Sequence, residues 1–142
     1  MSALLNKSKH NLSASEMLIK SSLYAPSVHC SYYAMLQHMT CKLKDCLKIS
    51  FETIALNSKG VGSHEYVINE TLTQIKTSFS NLEPLMREVE KTNAQKLRNK
   101  IGDLKLLGVQ SDYNNVEIDE TLSSQALDLS NIIIGKLNTF IP

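Results

Sequence analysis

The sequence predicts an all-α fold, an up-and-down antiparallel bundle of about five helices. Three observations lead there. Apolar residues recur at helical spacing along almost the whole chain, and no segment sustains the period-two alternation of a strand. Only 5 Gly and 3 Pro occur in 142 residues, too few for a turn-rich β fold. Apolar residues make up 42% and charged residues 20%, so the chain is globular rather than disordered. Its length suits a single domain with a real core.

Residues 1–12 are expected as an N-terminal tail, and 13–142 as the bundle. The first helix is placed from Ser13, which makes a capping-box pattern with Glu16, to about Tyr24, ahead of Pro26. The second spans about Pro26 to Lys48, with Val28, Tyr32, Met35, Met39, Leu43 and Cys46 on one face. The polar, Gly-containing stretch from Ser50 to Ser63 reads as the one long loop. A third helix starts near Ser63 and carries Ile68, Leu72, Ile75 and Phe79. Pro84 opens a fourth, with Met86, Val89, Leu97, Ile101, Leu104 and Gly108 on its stripe, ending at the polar break SDYNN. Asp119 is the expected N-cap of the last helix, which carries Leu122, Ala126, Leu129, Ile133 and Leu137.

Charge is balanced, with 15 Lys plus Arg against 14 Asp plus Glu, so the net charge of +1 gives no global pull toward nucleic acid or anionic membrane. Three cysteines with no CxxC argue against a disulfide framework or a structural zinc site. Reduced thiols and the absence of a leader-like apolar run predict a cytoplasmic protein, and no stretch approaches a membrane span.

One helix is unusual. From Ser27 to Cys41 there is no Asp, Glu, Lys or Arg. A surface helix normally keeps a charged side. Here Cys30, Ala34, His38 and Cys41 face away from the main apolar stripe. Two readings are open: the helix is central to one chain, or these four residues meet a second copy in a homodimer.

Four kinds of chemistry come into question. His38 and Cys41 are three apart, but no second pair at ligand spacing exists, so no metal site and no cofactor is expected. No GxSxG and no local cysteine signature announces a nucleophile. No GxxxxGK[ST] or GxGxxG occurs, and the nearest phosphate-binding pattern is KGVGSHE, Lys59 to Glu65, read as a loop capped by Ser63. Arg87, Lys91, Arg98 and Lys105 make a basic stripe at spacings of four and seven, diluted by nearby acids and read as a solvated face. Glu90 and Asn93 interrupt the apolar stripe of the fourth helix; either they line a polar groove or, at less cost, the first turns project from the bundle.

The run SYYAMLQHM, Ser31 to Met39, resembles the signature of HEPN domains (higher eukaryotes and prokaryotes nucleotide-binding), and more narrowly a small prokaryotic branch with YYAM in its second helix. Two further pieces agree in order: His64 ahead of Val67 and Ile68, and Asp112 with Tyr113, where the branch has ADY. The resemblance spans nearly the whole chain. It implies a helical bundle that often dimerises, with roles around nucleic acid: toxin–antitoxin pairs, phage defence, and partnership with small nucleotidyltransferases. It also implies metal-independent ribonuclease activity where an Arg precedes a His by four to six residues. Here all four histidines precede both arginines, so that motif is absent. Gly108 and Cys30 stand where the branch has arginines.

The expectation is therefore a non-catalytic, HEPN-like accessory or antitoxin-like protein that works by binding a nucleotidyltransferase, RNA or a nucleotide. His29, Tyr33, His64, Arg98, Asp112 and Tyr113 are the candidate binding residues. Two alternatives remain: a divergent ribonuclease built on His64, Asp112, Tyr113 and a cation such as Arg98, or a nucleotide-binding module using the Lys59–Ser63 loop.

Overall fold

The architecture follows from how α2 finds neighbours on every side. The structure, a computed structural model, describes residues 2–142. Six α-helices are present among them: α1 (Ala3–Lys20), α2 (Tyr24–Cys41), α3 (Phe51–Asn57), α4 (Ser63–Thr77), α5 (Pro84–Tyr113) and α6 (Glu120–Phe140). No strand occurs among the described residues, and none of the helices is long and apolar enough to cross a membrane. The all-α bundle read from the sequence is the fold.

The uncharged α2 is the central helix. Val28, Ala34, Met35 and Met39 are fully buried, and α1, α4, α5 and α6 all pack on it. Of the two readings left open, the central helix is the one that accounts for Ala34, His38 and Cys41, which are buried within one chain rather than free to meet a second copy. Ala34 is fully covered, and its carbonyl accepts a 2.7 Å bond from Ser8 Oγ of α1. His38 is buried, with Nε2 2.9 Å from Asn138 Oδ1 of α6. Cys41 is buried, and its thiol donates to Asp45 at 3.4 Å. Only Cys30 stays half-exposed. His38 and Cys41, which share ligand spacing in sequence, thus go to separate partners.

Residues 3–12, expected as a tail, belong to α1, and Ser13 lies inside that helix rather than capping it. The face α1 turns to α2 is lined by hydroxyls. Ser15 Oγ lies 2.8 Å from Ser27 Oγ and 2.7 Å from Ser31 Oγ. Asn11 donates to Gln37 at 2.8 Å. Ser130 of α6 adds a 2.7 Å bond to the Ser31 carbonyl. Small side chains let the helices approach closely, and each hydroxyl finds an acceptor, which offsets its burial cost. Rising positions on α1 meet falling positions on α2, so these two are antiparallel, while Ser31–Ser130 and His38–Asn138 show α2 and α6 running the same way.

The second helix ends earlier than expected. After Cys41 the backbone widens into a π-helical turn, Lys42–Cys46, and Lys48 takes a left-handed conformation (φ 60°) that stops it. The long loop expected from Ser50 to Ser63 holds α3, whose N-cap Ser50 accepts from the Thr53 N–H at 3.1 Å. Residues 42–62 carry the chain back, so that α4 starts beside the middle of α2. The N-cap of α4 is Gly62 (φ 89°), not Ser63. Asp119 caps α6 as expected, accepting from Leu122 N–H at 2.8 Å.

Pro84 opens α5, which runs 30 residues, about 45 Å. Its buried stripe begins only at Ala94; Met86 and Val89 are exposed. The first turns therefore project from the bundle. Glu90 and Asn93 line a groove between α5 and α6 and bond to each other at 3.3 Å.

Candidate functional site

Three elements supply the site. Positions 29, 32 and 33 of α2 fall on one side of that helix, i, i+3 and i+4. They meet the N-terminus of α4 and the last three turns of α5. Gly108 decides how near α5 can come. A Cβ there would lie 3.1 Å from Tyr32 Cγ, so glycine lets the Tyr32 ring rest against the α5 backbone without giving by a few tenths of an ångström. The resulting open cleft, about 400 Å³, is lined by Tyr32, Tyr33, His64, Lys105, Asp112 and Tyr113 among others.

The aromatic rings are ordered against each other. His29 stacks on Tyr33 with centroids 4.4 Å apart. Tyr33 meets His64 edge-on at 5.4 Å, and Tyr32 meets both Tyr33 (5.9 Å) and His64 (5.7 Å). At the rim, His29 Nδ1 lies 3.0 Å and 3.1 Å from the two Asp112 carboxylate oxygens. A carboxylate can only accept, so Nδ1–H donates, and a neutral His29 keeps its lone pair on Nε2. Deeper in, the Tyr32 hydroxyl lies 3.5 Å from His64 Nδ1. Burial, with help from Tyr33, Glu65, Asp112 and Tyr113, pushes the Tyr32 phenol up to about 12, so it stays protonated. Where it donates to Nδ1, His64 carries its proton on Nε2. Burial, then Lys105 and His29, hold His64 below the ordinary histidine value, so it is neutral at pH 7.

Lys105 is the cation of the cleft, and it is engaged: its ammonium donates to the Glu65 carboxylate. That bond holds Glu65 below the usual carboxylate range. Tyr113 is 81% exposed and offers its ring to the solvent at the cleft mouth.

Five of the six candidate residues therefore come together: His29, Tyr33, His64, Asp112 and Tyr113. Arg98 does not. It lies seven residues before Lys105 on α5, about 10 Å along the axis, and lines no part of the cleft. Sequence reasoning missed Lys105 as a member, having read it only within a basic stripe, and it missed Glu65. The signal for both was positional: Glu65 sits in the first turn of α4, beside His64, and Lys105 lies one turn before Gly108. Tyr32, on the apolar face of α2, belongs to both core and cleft, since its ring is buried while its hydroxyl reaches His64.

Comparison with models of known protein families, with curated proteins and with solved structures returned no match to this chain.

Proposed function

We propose that this chain is a non-catalytic, HEPN-like binding protein whose cleft between α2, α4 and α5 takes the base of a nucleotide or of single-stranded RNA. The observation that carries the reading is the combination of aromatic convergence with a neutralised cation. Tyr33, His64, Asp112 and Tyr113 meet from three helices, while Lys105 beside them is held by Glu65. A phosphoryl-transfer site needs positive charge free to meet the charge that develops on phosphate. Here a ligand phosphate would have to displace a carboxylate first. The same groups suit a planar, hydrogen-bonding ligand. An exposed Tyr ring stacks on a base, and two carboxylates accept from its amino and imino groups. The family resemblance would set such a module beside an effector, such as a nucleotidyltransferase, in a toxin–antitoxin or defence system. A homodimer, if formed, would use a face other than α2.

The test is fluorescence anisotropy with short labelled RNAs on wild type and Tyr113→Ala. Stacking is worth about 1–3 kcal/mol per base. The substitution is expected to weaken binding by roughly tenfold or more while leaving the melting temperature unchanged, because the ring is exposed. Wild type that binds no RNA and no nucleotide would sink the reading.

One observation favours the divergent ribonuclease as the second reading. His29, oriented by Asp112, offers an acceptor Nε2, and His64, oriented by Tyr32, can offer a donor Nε2 close by. A base and an acid so placed are what cleavage through the 2′-hydroxyl requires. RNA cut by wild type but not by His29→Ala would replace binding with catalysis.

A further inference from the structure

Three of the four residues of the basic stripe of α5 find partners once folded, and Arg98 stays exposed. Arg87 donates to the carbonyls of Ser80 (3.3 Å) and Leu82 (2.9 Å). Lys91 pairs with Glu88 at 3.4 Å, and Lys105 with Glu65. Three further lysines without a carboxylate partner line the groove of about 280 Å³ between α5 and α6. Lys96 and Lys100 enter it from α5, one turn apart, and Lys136 from α6. Among the described residues none of the three has a carboxylate within ion-pair distance. The one acid lining the groove, Glu90, accepts from Asn93. Phe140 forms part of the wall, its ring braced by Phe79 at 5.9 Å.

We infer that this groove binds the phosphodiester backbone of a single-stranded nucleic acid. The occupant is anionic, because three lysines against the single carboxylate of Glu90 leave the groove net positive. It must also carry its charges in series: Lys96 and Lys100 are spaced about 6 Å apart along the helix surface. Lysines act as flexible point charges suited to phosphates, whereas planar pairing with carboxylates is the strength of arginine, and the groove has no arginine. An aromatic ring beside a basic groove is the arrangement on which single strands stack. The groove is separate from the α2–α4–α5 cleft and stands whether or not that cleft holds a base.

The experiment is a salt series of anisotropy titrations with a labelled 12-nucleotide oligouridylate. Wild type is compared with Lys96→Gln/Lys100→Gln/Lys136→Gln and with Lys7→Gln/Lys20→Gln/Lys48→Gln. The second triple removes the same net charge from distant surface positions. Single strands release about 0.7 counterion per neutralised phosphate. The groove variant should lose about two from the slope of log K against log salt, and at least tenfold in affinity at low salt. The distant variant should keep most of both. Equal losses in the two variants, an unchanged groove variant, or no binding by wild type would each overturn the inference. So would a polyglutamate peptide that displaces the RNA at matched charge, since the occupant would then be an acidic polypeptide. Tyr113→Ala separates this inference from the cleft reading: it should change preference among bases and leave the slope intact.

Discussion

The hydroxyl of Ser123 is fully buried on α6 and meets no partner among the described residues. An orphaned buried hydroxyl costs about 1–3 kcal/mol, so its removal is expected to help. Ser123→Ala should stabilise the protein by about 1 kcal/mol, read as a melting temperature about 3 °C higher. Ser15→Ala should do the reverse at similar cost or more, because it strips a partner from both Ser27 and Ser31. Ala34→Glu makes the sharper case. Were Ala34 at a dimer face, the variant would be a folded monomer. Because Ala34 is buried inside one chain, the carboxylate would be entombed, and loss of the folded state by circular dichroism is the expected result. At this scale the sequence exposed the site unevenly. His29, Tyr33, His64, Asp112 and Tyr113 could be named because unusual residue types recurred in a recognisable order. Lys105 and Glu65 could not, because lysine and glutamate are the ordinary surface of any helix, and only the approach of α4 to α5 makes them a pair.

Between elements, two histidines act as joints. His38 ties α2 to α6 through Asn138, and His64 meets Tyr32 of α2 from α4. Burial is the largest cause holding both below the ordinary value of 6.5. The unfolded chain therefore binds protons that the folded chain refuses, and stability must fall as pH drops below about 6.5. It is fully present above that value. A lower urea midpoint at pH 5.5 than at pH 7.5 is the expected outcome, and His38→Gln with His64→Gln should flatten the difference. Glu65 is excluded as the cause, since Lys105 holds it below its ordinary 4.5 and it loses its contribution only under that pH. Elements also mark where periodicity misled. The N-terminal half of α1 reads as a tail because its one buried position, Ser8, carries no apolar signal. α3 has one buried residue, Ile54, too little to show a stripe. By contrast α4 and α6 were legible because large aliphatics line them and because Gly62 and Asp119 stand at their starts.

Across the whole molecule, the central position of α2 was half legible. Its lack of charge required cover, but composition alone could not choose between a second chain and four neighbouring helices. The answer lay in hydroxyl and amide groups paired over long separations, which no local pattern reveals. Those separations bear on how the chain is made. The bonds from Ser130 to Ser31 and from Asn138 to His38 join residues 99 and 100 positions apart. On a ribosome adding about 5–20 residues per second, α2 waits on the order of 5–20 s for α6 to arrive. During that wait α1 can already cover one flank, since the α1–α2 hairpin is local, while the opposite flank, without one charged side chain, stands open to water. A nascent chain in that condition is a natural client for a holdase until α6 has emerged to cover the flank.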